Sequence, residues 1–116
     1  MNYNLYQLGR ECYDNENIEK ALEYFFRSLA VEPHFKTYEM IYHCLSKLGK
    51  KHEAREYIEK AYNENKNNDK VAVEYSTVIF DDGNIDLSAK LLNEVLQRNP
   101  TYGPAKKLLE KIRNLE

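Results

Sequence analysis

The chain has no tryptophan, and its 116 residues include only two cysteines, four glycines and three prolines. Two cysteines are too few for the disulfide framework of a small secreted domain, and Cys12 and Cys44 both fall inside apolar helical patterns, which predicts buried or half-buried free thiols. The glycines, Gly9, Gly49, Gly83 and Gly103, are too far apart for a phosphate-cradling G-x-G-x-x-G or P-loop, and no G-x-S-x-G occurs. No apolar run approaches the roughly 18 residues needed to cross a bilayer, and Met1-Asn2-Tyr3-Asn4-Leu5 lacks the basic start and apolar stretch of a secretory signal. Neither sign of charge is in surplus. With 17 basic against 19 acidic residues the net charge is −2, so the field that displaces counterions from phosphates is missing. The expectations are a cytoplasmic chain with neither nucleic acid nor membrane among its partners.

Ten tyrosines, four phenylalanines and a regular supply of Leu and Ile provide apolar surface for one small core, so residues 1–116 read as a single domain. An internal repeat organises them. Ala21 in Asn17-Ile18-Glu19-Lys20-Ala21-Leu22-Glu23-Tyr24-Phe25 matches Ala54 in Lys51-His52-Glu53-Ala54-Arg55-Glu56-Tyr57-Ile58 at an offset of 33 residues, and the next copy places Ser88 in the same position. Gly49 and Gly83 each precede a new amphipathic run, while Pro33 and Pro100 follow the runs they close.

Apolar residues recur at helical spacing throughout. The stripes are Leu5, Leu8, Gly9 and Cys12; Ile18, Ala21, Leu22, Phe25 and Leu29; then Tyr38, Ile41, Tyr42, Leu45 and Leu48. Ala54, Tyr57, Ile58 and Ala61 follow, then Val71, Ala72, Tyr75, Ser76 and Ile79, then Ile85, Ser88, Leu91, Leu92 and Val95. A last stripe, Ala105, Leu108, Leu109, Ile112 and Leu115, opens on Gly103-Pro104, where proline suits the first helical turn. Seven helices and an all-α fold are predicted, with three hairpins sharing one core and the seventh helix covering its end.

Catalytic and metal patterns fail on inspection. His52-Glu53-Ala54-Arg55-Glu56 begins like a zinc-protease H-E-x-x-H helix, but Glu56 stands where the second histidine belongs. His34, His43 and His52 are each nine residues apart, half a turn out of phase on a continuous helix, and Pro33 and Gly49 break any such helix, so local spacing builds no metal cage. Asp82-Gly83-Asn84-Ile85-Asp86 has the first oxygens of a calcium loop, yet Leu87 replaces the turn glycine and Asn93 the bidentate glutamate. That stretch reads as an inter-helix turn with Asn84 or Asp86 near a helix start. No enzyme, cofactor or metal is expected.

These residues resemble the tetratricopeptide repeat (TPR) family, whose 34-residue helix-turn-helix carries small residues beside apolar ones, an Ala in the second helix and a closing Pro. The first copy has Leu5, Leu8, Gly9, Ala21, Phe25, Ser28 and Pro33; the second Tyr38, Ile41, Leu45, Gly49, Ala54 and Ala61; the third Tyr75, Ser76, Gly83, Ser88, Leu92 and Pro100. The resemblance implies a right-handed α-solenoid of three TPR hairpins, over about 2–34, 35–68 and 69–102, with a capping helix at 103–116. Tyr42 occupies the small position of the second copy, so either the helices stand apart there or Tyr42 turns outward. Asn63 to Asn68 replaces the Pro turn and is expected to be the most mobile connection.

By the same resemblance, the first helices of the hairpins line a concave groove. Its residues would be Tyr3, Tyr6, Arg10 and Tyr13, then Lys36, Glu39, His43 and Lys47, then Lys70, Thr77 and Phe80. Interleaved aromatic and charged side chains suit an extended segment of a partner protein. The alternative is a structural scaffold, self-associating or part of a larger TPR assembly, and the expected state is a monomer or weak homo-oligomer. TPR domains that bind chaperone tails use a Lys, Asn, Asn, Lys, Arg clamp for two carboxylates. The matching positions here are Tyr6, Arg10, Met40, Lys70 and Glu74, which disfavours such tails.

Overall fold

The computed structural model describes residues 3–115. Among them are seven helices, α1 (Tyr3–Asp14), α2 (Ile18–Val31), α3 (Phe35–Lys47), α4 (Lys51–Glu64), α5 (Asp69–Asp81), α6 (Ile85–Arg98) and α7 (Gly103–Arg113), and no strand. No helix among the described residues is long and apolar enough to cross a membrane. Two compact units divide between Glu64 and Asn65. The first holds α1 to α4 and the second α5 to α7.

In the first unit, α1 pairs with α2, α3 with α4, and α2 packs on α3. The helical period brings Ala21 and Phe25 of α2, Met40, Ile41, Cys44 and Leu45 of α3, and Ala54 of α4 into one buried cluster. Phe25 is fully buried, which by area alone stabilises the unit by about 3 kcal/mol at most. Gly9 is the small residue that lets α1 approach it. Helix α3 buries Cys44 as expected and a broader face than the expected stripe, adding Thr37, Glu39 and Met40, because α2 and α4 flank it. Leu8 and Leu115, assigned to inward stripes by periodicity, are instead 40% and 64% exposed. Tyr42 does not turn fully outward: it is half-buried against the cluster, its ring 5.2 Å from His43.

The turns follow backbone chemistry. Gly49 has φ +77, and the Lys50 N–H donates back to the Leu45 carbonyl at 2.8 Å, a helix end that requires a left-handed residue. Gly83, φ +90, closes α5 in the same way, with the Asn84 N–H on the Ile79 carbonyl. Helix α3 starts at His34, whose Nδ1 accepts from the Lys36 N–H at 3.1 Å. Burial pushes the His34 pKa down, which keeps that nitrogen an acceptor.

The second unit packs α5 on α6 and α7 on α6. Asn68 caps α5 by accepting from the Val71 N–H, and Asn84 caps α6 by accepting from the Leu87 N–H, so the calcium-like stretch is an inter-helix turn. Ser88 is small enough for close packing and also donates to the Ser76 carbonyl at 2.9 Å. Arg98 and Asn99, at the end of α6, donate to the two carboxylate oxygens of Asp69 at 3.0 and 3.3 Å, tying that end to the start of α5.

Candidate functional site

Helices α1 and α3 of the first unit bring several of the expected site residues together. Arg10 lies four positions after Tyr6, about one helical turn, and Arg10 Nη1 donates to the Tyr6 hydroxyl at 3.4 Å. That bond, more than the neighbouring carboxylates of Asp14 and Glu39, raises the Arg10 pKa above its ordinary value. One turn further on, Lys47 of α3 reaches α1. Its Nζ lies 4.6 Å from the centre of the Tyr13 ring and 3.7 Å from Glu16 Oε2, combining a cation–π contact with an exposed ion pair.

Glu39 and His43 lie one turn apart on α3, His43 Nε2 being 3.8 Å from Glu39 Oε2. Glu39 is only 8% exposed, so it forms part of the floor rather than a solvated contact. Tyr6 is likewise half-buried, with its ring 5.6 Å from Phe25. Tyr3, by contrast, is 74% exposed. Lys36 is exposed on the first turn of α3, away from the Arg10 and Lys47 positions in sequence, and its backbone N–H serves the His34 cap.

The remaining expected residues belong to the second unit. Lys70 and Thr77 are exposed on α5, and the Thr77 hydroxyl donates to the Val73 carbonyl at 2.8 Å. Phe80 is half-buried, with Lys111 Nζ of α7 5.3 Å from its ring centre. An aromatic group that periodicity did not single out as a site lies on the first unit. Phe26 of α2, 38% exposed, meets Tyr57 of α4 edge-on at 5.8 Å, and Tyr57 is 6.4 Å from Tyr38. The signal for it was the run Tyr24-Phe25-Phe26, in which one ring must face away from the core.

Paired antiparallel helices with small residues at their closest approach define a helical-repeat architecture. The model of one family, the tetratricopeptide repeat, matches residues 36–68, the span of the α3–α4 hairpin. Solved structures of similar fold include the Arabidopsis OM64 TPR domain, with TM-score 0.80 and 17% identity over 97% of this chain and 93% of that one. A second is the first TPR of Spaghetti (RPAP3) bound to the HSP90 peptide SRMEEVD, with TM-score 0.82 and 17% identity over 96% and 89% of the two chains. A third is the second TPR domain of human RPAP3 in complex with the HSP70 peptide SGPTIEEVD, with TM-score 0.77 and 19% identity over 92% and 90%. No curated protein matches. The chain has the fold of a tetratricopeptide-repeat domain, and its second hairpin carries that family's sequence pattern.

Proposed function

We propose that the chain is a non-enzymatic protein-interaction module whose α1/α3 face binds an extended segment of a partner protein. The observation that carries this reading is the pairing of cations with tyrosines on that face, Arg10 with the Tyr6 hydroxyl and Lys47 over the Tyr13 ring. Rings held in place by the helices lose little entropy on binding, and each adjacent cation pairs with a carboxylate, so the segment would carry acidic and apolar or aromatic residues. Two of the similar structures hold peptides, which supports a peptide-binding role for this fold.

The partner segment differs from a chaperone tail. Tyr6, Arg10 and Met40 occupy clamp positions, and Met40, 6% exposed and without a polar donor, offers nothing to a carboxylate.

Affinity capture from native cell extract with the wild type and the Arg10→Gln/Lys47→Gln variant tests the reading. Both residues are exposed, so melting should be unchanged. A protein retained by the wild type and released by the variant is the expected result, and the peptide SRMEEVD should bind neither. Equal retention by both would remove the site from this face, and retention of copies of the chain alone would favour a self-associating scaffold.

A further inference from the structure

The two units contain one structural situation in two states. In the first unit, the crease between α2 and α3 is filled by α4. Ala54 of α4 enters the cluster with Phe25, Ile41 and Leu45, Leu29 packs against that cluster, and Tyr57 lies between Phe26 of α2 and Tyr38 of α3. Helices α6 and α7 repeat α2 and α3 in sequence: Phe25 corresponds to Leu92, Leu29 to Leu96, Ile41 to Leu109 and Cys44 to Ile112, and the burial of each pair agrees. Between α6 and α7 the crease is an open hollow of about 370 Å³, lined by Leu96, Lys106, Leu109, Glu110 and Arg113. The corresponding positions beneath α4 are Leu29, Tyr38, Ile41, Tyr42 and Leu45.

The lining has therefore changed in a directed way. Leu96 and Leu109 keep the apolar floor, while Tyr38 is replaced by Lys106 and Leu45 by Arg113. The outer surface of α7 adds Lys107 and Lys111, and Glu110 is its only acid. Helix α4 presents Tyr57 to Tyr38, the counterpart of Lys106, so an occupant with a carboxylate at that position in place of the ring would pair with the cation.

We infer that the α6/α7 crease is a docking site for an amphipathic helix of a partner protein. That helix carries a small residue in mid-stripe, as Ala54 does in α4, and a carboxylate one turn on, opposite Lys106. The site is separate from the α1/α3 face and does not depend on it. Docking completes in trans the packing that α4 completes within the first unit, and charge complementarity selects the partner.

The test uses the full chain and three helical peptides built on Lys51–Glu64. Short helices are marginal in water, so each peptide is locked by a lactam between its Glu56 and Lys60 side chains, which lie 3.2 Å apart in α4. The first peptide keeps Tyr57, the second has Tyr57→Glu and the third Tyr57→Lys. Binding is followed by amide chemical shifts of the chain and of its Lys106→Glu variant, an exposed substitution that should leave melting unchanged. The Tyr57→Glu peptide should bind best, with shifts centred on Leu96, Lys106, Leu109 and Arg113. The Lys106→Glu variant should weaken it about five-fold and reverse the preference toward the Tyr57→Lys peptide, as expected for one exchanged ion pair. Absence of binding at millimolar peptide, shifts centred on α2 and α3, or affinities indifferent to the charge exchange would each overturn the inference.

Discussion

The ring of Phe25 fills the space that a side chain at Gly9 would need: a Cβ there would stand 2.6 Å from Phe25 Cε1 and 2.8 Å from Cδ1. Phe25 is fully buried and cannot swing away. Gly9→Ala should therefore destabilise the chain although alanine is the better helix former. Overpacking of about 1–3 kcal/mol outweighs a propensity gain of about 1 kcal/mol, and urea unfolding should register the difference. Adding Phe25→Leu should make the pair of changes cost less than the sum of the two, because the obstacle is the ring itself.

Glu16 stands in the turn position that Gly49 and Gly83 occupy in the later hairpins, with φ +64 against their +77 and +90. The Asn17 N–H donates to the Cys12 carbonyl at 2.8 Å, the same bond that closes α3 and α5. A left-handed residue with a Cβ costs roughly 1–2 kcal/mol, and glycine removes that cost while giving back some unfolded-state entropy. Glu16→Gly should raise stability by about 0.5–1 kcal/mol in thermal or urea unfolding, despite losing the exposed pair with Lys47. Glu16→Ala loses the same pair without relieving the backbone and should show no gain.

Glu16 also marks where the sequence becomes hard to read. The stripes around Ala21, Ile41 and Leu92 announce the helices because a 3.6-residue period has one buried face, and Gly49 and Gly83 announce turns because glycine enters the left-handed region freely. At Glu16 the surrounding structure imposes the conformation on a residue that carries no such signal. The burial of Glu39 was equally hidden, since a helix flanked by two others buries a face wider than one stripe. Arg10, Tyr13 and Lys47 could be named through the family resemblance, but the reach of Lys47 across to the Tyr13 ring depends on how α1 and α3 lie together, which no local pattern encodes.

Cys44 offers a test by pH. Burial pushes its thiol up to about 12, from an ordinary value near 9. Between those two values the unfolded chain loses a proton that the folded chain keeps, so this group's contribution is fully present below pH 9 and is lost as pH rises toward 12. Comparing urea unfolding of the wild type and Cys44→Ala at pH 8 and pH 10.5 isolates it. The wild type should lose more stability than the variant over that interval. In a thiol-labelling assay at pH 8 Cys12, which is half-buried, should react first. Cys44 should then react only at the rate of unfolding.

The hydroxyls of Ser28 and Thr37 are buried without a hydrogen-bond partner, and both residues are fully enclosed in the first unit. Ser28 was expected at a packing position and Thr37 was not, but both are packed and in neither does the oxygen add to the packing. An unsatisfied buried hydroxyl costs about 1–3 kcal/mol of desolvation, so removing it should stabilise. Ser28→Ala and Thr37→Val should each raise the melting temperature, Thr37→Val the more surely because it keeps the branched shape. Ser88→Ala provides the contrast, since that buried hydroxyl donates to the Ser76 carbonyl, and its loss should cost about 1 kcal/mol. Opposite signs at Ser28 and Ser88, measured under the same conditions, would separate packing from hydrogen bonding at two small residues in one repeat framework.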